Sequence, residues 1–404
     1  MDRLDPQPWM TAAPVRRVMH ALEAARTGST RFVGGCVRNA LLGEKVADID
    51  IATQLTPPEV AAALRAAEIA VHPTGIEHGT LTAVADNQTF EVTTLRRDVE
   101  TDGRRAVVAF TQDWAEDAQR RDFRMNALYA SLDGTLYDPT GGGLADVRAR
   151  RIVFVGDAET RIREDYLRIL RFFRFNAWYG RGWLNAEGLE ACGRLKSGLA
   201  DISAERIWSE TKKLLAARDP APALAAMAQS GVFAQLYPEA HGLDLLRTLV
   251  GIEAVRRMPP DPMRRFLSLF SKDGEVLAAA ARRLKLSNEE RDRLVFSARD
   301  ETPVSPAMSP AEIRRMLYQS GPVVFRDRVM LAWANAGGAG DWMALLSVAS
   351  KWVRPVLPVT GQDVLAAGVK EGPGVGAAMK KLEAAWIASD FTAGRYELLN
   401  LLQP

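Results

Sequence analysis

Cysteine is almost missing from this chain, with only Cys36 and Cys192 among 404 residues. Two thiols can build neither a disulfide framework nor a cysteine metal cluster, and their scarcity fits a reducing cytoplasm. No run approaches the roughly eighteen apolar residues of a membrane-spanning helix, so no membrane association is expected. The opening Met1-Asp2-Arg3-Leu4-Asp5 lacks a basic segment followed by an apolar core, so no secretory signal is expected either. Short repeats and low-complexity tracts are missing too. Charge of one sign is barely in excess, with 52 Lys and Arg against 50 Asp and Glu. Global charge therefore neither demands nor excludes nucleic acid, and a polyanion would have to be met by local patches. What is present is a 47% hydrophobic composition and enough length for two to four domains, which predicts a soluble globular protein.

Strand and helix signals mix up to about residue 140 and then separate. A helix is expected from Pro14 to Ala25, with strands at Arg31-Phe32-Val33 and Asp48-Ile49-Asp50-Ile51-Ala52. Thr56-Pro57-Pro58-Glu59 opens a further helix, with Thr as cap and Pro in the first turn. Thr80 to Val84 and Thr89 to Leu95 flank Asp86-Asn87-Gln88 and predict a hairpin. The charged run Arg96 to Arg105, with Gly103 inside it, predicts a mobile loop. From about Arg161 strand signals almost vanish and Ala, Leu and Arg recur at helical spacing. The fold class expected is α+β.

Five segments carry candidate chemistry. Gly34-Gly35-Cys36-Val37-Arg38-Asn39 combines a permissive turn with a helix start, a place where backbone N–H groups can meet phosphate oxygens. Asp48 and Asp50, two apart on an expected strand, point the same way and suit a hard Mg²⁺. Glu91 leaves a strand that the hairpin can lay beside them, as a third carboxylate or as a cross-strand partner of Arg96 or Arg97. Arg120-Arg121-Asp122-Phe123-Arg124-Met125-Asn126 crowds arginine forks beside an aspartate, apt for a triphosphate and a ribose hydroxyl. Glu164-Asp165-Tyr166-Leu167-Arg168-Ile169-Leu170-Arg171, read as one helix, sets Asp165 and Arg168 three apart. A carboxylate beside a guanidinium matches the amino group and ring nitrogen of C and A and opposes U and G. The same spacing also describes an ordinary surface ion pair.

In this order the segments resemble the class II tRNA nucleotidyltransferases, which comprise CCA-adding enzymes and bacterial poly(A) polymerases. Gly34-Gly35 to Asp50 resembles the family's catalytic motif, Arg120-Arg121-Asp122 its ribose motif and Glu164-Asp165-x-x-Arg168 its nucleotide-template motif. Ser203 to Leu215 resembles the helix that braces the template, and Thr360 to Gly374 is a weaker match. The resemblance implies a polymerase-β-like head over 1–140, a neck over 141–218, a helical body over 219–335 and a tRNA-binding tail over 336–404. It implies that Asp48 and Asp50 bind Mg²⁺ and that Gly34, Gly35 and Arg38 hold phosphates. Arg121 and Asp122 would address the sugar, Asp165 and Arg168 the base, with Asn126 and Arg171 in the same nucleotide-binding set. The implied activity is template-independent addition of C, C and A to the 3′ end of tRNA from CTP and ATP, with no obligate protein partner. Poly(A) synthesis and partial addition of CC or A alone stay open as alternatives. Arg96 to Arg105 resembles the loop tied to switching from CTP to ATP. The pairs Arg256-Arg257, Arg264-Arg265, Arg282-Arg283 and Arg314-Arg315 are candidates to face phosphates or to be solvated helix faces. Two departures stand out: Asn39 where the family usually has Asp, and Thr211 where Leu is commoner.

Overall fold

The computed structural model describes residues 2–102, 105–182, 184–299 and 302–403, and only the backbone over 98–108. The chain divides into two compact units, Met1–Pro238 and Glu239–Pro404. The expected boundaries at 140 and 218 both fall inside the first unit, and that at 335 inside the second.

The first unit is built on a seven-stranded mixed sheet of order β3-β4-β5-β2-β1-β8-β9. Its strands are β1 (Thr30–Val33), β2 (Asp50–Thr53), β3 (Ala70–Gly75), β4 (Thr80–Ala85), β5 (Gln88–Thr94), β8 (Tyr129–Ala130) and β9 (Leu136–Tyr137). Only β2 and β5 run parallel. The expected hairpin is β4–β5. Asp86 and Asn87 supply φ of +50° and +61°, the two positive values that a type I′ turn demands. Helix Ala13–Ala25 buries Val15, Val18, Met19 and Leu22, an i, i+3, i+4, i+7 stripe, and packs on β1 and β4. Helix Pro57–Ala66 starts as expected, with a capping box between Thr56 and Glu59.

The stretch expected to be a loop has a different form. Backbone over β6 (Arg96–Asp102) and β7 (Arg105–Phe110) pairs antiparallel as a separate two-stranded ribbon. A ladder satisfies backbone donors and acceptors whatever the side chains are, so a polar composition did not exclude strands here. Gly103 and Arg104 lie outside the described residues. After β9 no further strand occurs among the described residues.

The second unit is helical. Leu249, Leu317, Phe325, Val329 and Trp333 belong to one buried cluster, and Val364, Leu382, Trp386 and Leu398 to another. The long helix Pro310–Asn335 bends at Gly321, whose φ is +76°, just before Pro322. Arg264 and Arg265 do not face solvent, contrary to one reading of the basic pairs. Both are buried, bonded to Glu253, and Arg264 also to Asp261 and Asp327. Arg314 pairs with Asp390 and Arg283 with Glu239. Among the described residues no helix is long and apolar enough to cross a membrane.

Candidate active site

β1 ends at Val33 and the chain turns through Gly34, whose φ is +73°, into helix Gly35–Leu42. That angle is in the left-handed region, which a side-chain-bearing residue adopts only with strain. The turn is tied down by Gly34 N–H donating to the Leu128 carbonyl at 3.2 Å. A Cβ at Gly34 would stand 3.5 Å from Arg121 Nη1, and one at Gly35 3.7 Å from Arg38 Nη2. The bare turn therefore leaves a helix N-terminus open between two guanidiniums. Cys36 is buried behind it and donates its thiol to the Val33 carbonyl at 3.3 Å.

Asp50 opens β2, beside the start of this helix. Asp48 was expected on the same strand, but β2 begins only at Asp50, and Asp48 lies exposed in the preceding segment. Asp48 still acts on Asp50. The Asp50 carboxyl is raised above its usual range by burial first, then by Glu91, with Asp48 adding to the effect and Arg121 and Arg38 opposing it. Glu91 stands opposite Asp50 across the parallel β2–β5 pair and opposite Thr82 across β4–β5. The alternative partners Arg96 and Arg97 pair instead with Phe110 and Ala109. Among the described residues no group of three or more acidic, histidine or cysteine side chains is gathered to hold a metal. Glu91 is a charge beside Asp50, and Asp48, Asp50 and Glu91 are the candidate oxygen donors. No hydrogen bond reaches either aspartate's carboxylate among the described residues. Carboxylate oxygens without a hydrogen bond, on an Asp50 whose ionisation burial and Glu91 oppose, fit a hard divalent cation.

A polar network lies beneath the turn. Asp122 is buried and accepts from Phe123 N–H at 2.8 Å, from Asn126 Nδ2 at 2.9 Å and from Arg171 Nε at 2.9 Å. Burial opposes its ionisation, but Arg171, Asn126 and the backbone donor hold the carboxyl down at about 2. Asn126 in turn accepts from Arg38 Nη1. Arg121 is anchored from behind by Asp117 Oδ2 at 3.0 Å, and Tyr129 donates to the same oxygen at 2.7 Å. Asp117 and Tyr129 were not foreseen. Asp117 had a signal, since it stands three and four residues before Arg120 and Arg121 on one helical face. Asn39 uses both ends of its amide. Its oxygen accepts from Arg38 Nη2 at 2.8 Å and its nitrogen donates to the Lys45 carbonyl at 2.9 Å.

The template segment departs from the one-helix expectation. Helix Ala158–Glu164 ends at Asp165, which takes an extended conformation with φ −157° and ψ 104°, and a new helix runs Leu167–Tyr179. Asp165 and Arg168 therefore sit at a helix junction, joined by Arg168 N–H donating to the Asp165 carbonyl at 2.9 Å. Asp165 Oδ1 caps Leu167 N–H and its Oδ2 pairs with Arg206 at 2.7 Å. Arg206 belongs to helix Ala204–Leu215, the segment expected to brace the template. Glu210 on the same helix pairs with Arg174. Arg168 bonds Glu164 and the Arg161 carbonyl, so the ion-pair alternative is realised with Glu164 while Asp165 turns to Arg206. Thr211 is buried, its hydroxyl bonded to the Ile207 carbonyl at 2.8 Å.

A glycine turn, an aspartate opening a strand of a mixed sheet with a second aspartate two residues before it, and a following arginine-rich helix junction are the features of a nucleotidyltransferase. Residues 30–153 match the family model for the Poly A polymerase head domain. Residues 184–243 match the model for the probable RNA and SrmB-binding site of polymerase A. The mitochondrial CCA tRNA nucleotidyltransferase 1 of Mus musculus is 36% identical over 397 residues, covering 95% of this chain and 88% of the relative. The CCA-adding enzyme of Levilactobacillus brevis is 30% identical, covering 91% of each. The solved Bacillus stearothermophilus CCA-adding enzyme in complex with CTP superposes with a TM-score of 0.76 at 28% identity, covering 94% of both chains. The chain belongs to the CCA tRNA nucleotidyltransferase family. A nucleotidyltransferase of this kind works with a divalent metal.

Proposed function

We propose that the Gly34 turn, Arg38 and Arg121 seat the triphosphate of CTP or ATP while the Asp165–Arg168 junction meets the base. The reaction is template-independent addition of C, C and A to the 3′ end of tRNA, with release of pyrophosphate. The observation that carries the residue roles is the open helix N-terminus between Arg38 and Arg121, with the uncommitted Asp48 and Asp50 at its mouth. Asp48 and Asp50 would hold Mg²⁺, which when bound neutralises the triphosphate and lowers the pKa of the attacking hydroxyl. The turn's backbone N–H groups donate to phosphate oxygens, and Arg121, fixed by Asp117 and Tyr129, meets the anion without reorganising. Asp122, with Asn126 and Arg171, sets the floor under the sugar. At the junction Arg206 holds the Asp165 carboxylate in place, so the base edge meets a fixed acceptor beside a fixed guanidinium. Two buried cysteines without a disulfide support a cytoplasmic setting.

The test is incorporation on tRNA lacking its 3′ end, with nucleotides supplied singly and together. CTP alone should add two residues and ATP should then complete the end. Runs of A on an unextended end would replace this reading with poly(A) synthesis. Stopping after CC with ATP present would leave a partial enzyme.

A further inference from the structure

Arg38 is a buried cation with an unusual set of partners. Only 6% of its surface is exposed. Its guanidinium donates to Asn126 Oδ1, to Asn39 Oδ1 from Nε at 3.1 Å and Nη2 at 2.8 Å, and to the Tyr179 hydroxyl at 2.8 Å. The Tyr179 ring also lies against it, 4.1 Å from guanidinium carbon to ring centroid, with Phe175 at 5.2 Å. Every one of these partners is neutral. Among the described residues no carboxylate bonds Arg38, and the nearby Asp122 spends its oxygens on Arg171, Asn126 and Phe123. A buried guanidinium normally has an anion at contact, because desolvating a charge is costly without one. Here Asp122 and Asp50 act on the guanidinium only from beyond hydrogen-bond contact, and its direct partners are all uncharged.

We infer that Tyr179 is a positioning residue for nucleotide binding, closing a neutral cage with Asn39 and Asn126 that keeps Arg38 oriented with its charge unspent for a phosphate group. This rests on the reading above, that Arg38 meets the triphosphate. Tyr179 is the last residue of helix Leu167–Tyr179, whose first turn carries Arg168 and whose second carries Arg171. One helix, about 20 Å long at 1.5 Å per residue, thus holds both the base-reading junction and the screw that sets the phosphate-binding arginine. Asn39 fits the same account. Asp at that position would bond the guanidinium ionically and hold it without help, whereas the neutral Asn39 leaves the task of orientation partly to the Tyr179 hydroxyl.

The experiment compares Tyr179→Phe, Arg38→Ala, Asn39→Asp and the double variant N39D/Y179F in steady-state incorporation and in binding of inorganic pyrophosphate by calorimetry. Removing a hydrogen bond to a charged group should raise KM for both CTP and ATP and weaken pyrophosphate binding about tenfold. Turnover and thermal midpoint should change little in Tyr179→Phe. In the Asn39→Asp background the same loss of hydroxyl should cost less than threefold, a non-additivity that a merely structural tyrosine would not produce. Unchanged KM in Tyr179→Phe, a loss seen only in the thermal midpoint, or equal losses in both backgrounds would each overturn the inference. If instead Arg38→Ala itself leaves KM and pyrophosphate binding intact, the triphosphate reading of Arg38 fails first, and the inference falls with it.

Discussion

Two regions of the molecule bury arginines at the same depth and treat them in opposite ways. In the second unit Arg264 and Arg265 are sealed among Glu253, Asp261 and Asp327, and Arg293 joins Asp261 and Asp327 at 2.6 to 2.9 Å. In the first unit Arg38 is held only by amides and a phenol. Burial alone does not separate structure from function. For these three arginines the difference is whether the protein itself supplies a carboxylate at contact. Arg264 and Arg265 are neutralised by carboxylates at contact, whereas Arg38 has no carboxylate at hydrogen-bond distance among the described residues.

The largest expected effect lies where the first unit is least complete. Asp48→Ala or Asp50→Ala should cut nucleotide addition about a thousandfold or more, since several kcal/mol of charge stabilisation are lost. Binding of tRNA, followed by gel shift, should persist. A loss of only a few-fold would remove these aspartates from the chemistry.

Breaking the comparison directly comes next. Arg265→Ala strands Glu253 inside the second unit and should cost about 3–5 kcal/mol in denaturant unfolding. Arg38→Ala removes a cation with no stranded anion, so its unfolding loss should be much smaller while nucleotide affinity collapses. The reverse ranking would show that partner charge does not distinguish the two roles.

A smaller effect should sharpen the account of the helix junction. Asp165→Ala removes the proposed acceptor for the amino group of C or A, and Arg206→Ala frees that carboxylate to swing. Each should relax discrimination against UTP and GTP about tenfold, since a mismatched polar edge costs about 1–3 kcal/mol. Unchanged misincorporation in both would detach base choice from this junction.

The smallest effect is a pH dependence. Asp117 and Asp122 are held at about 2 in the folded protein, below an ordinary aspartate near 3.9. Because the folded values are depressed, their stabilisation is whole above about pH 4 and fades as pH falls towards 2. Asp122→Asn should therefore show a shallower decline in thermal midpoint across that window than the unsubstituted chain. Parallel declines would mean that Asp122 is not held as the structure places it.

Local signals carried β1, β2, β4 and β5 but named neither β3 nor the short β8 and β9. Thr56 to Glu59 announced its capping box, and Asp86-Asn87 its hairpin, because cap and turn chemistry acts within a few residues. The glycine turn was legible for the same reason. The junction at Asp165 was not, because Glu164 to Arg171 contains neither Gly nor Pro and the break comes from Asp165 bonding Leu167 N–H and Arg206. Burial of Arg264 and Arg265 was equally hidden, since Asp327 lies 63 residues further along. Tyr179, 141 residues from Arg38, had no local pattern to betray it.

Cys36 gives the glycine turn one more property. A thiol inside the turn proposed to meet the nucleotide would be a weak point if it were reactive. Burial pushes it up to about 11, so at neutral pH it stays protonated and a poor nucleophile. Cys192 is also buried and shifted upward for the same reason. Oxidants and alkylating agents reach either sulfur only when its surroundings open, so labelling at Cys36 reports how often the glycine turn breathes, and labelling at Cys192 does the same for helix Ala186–Arg194.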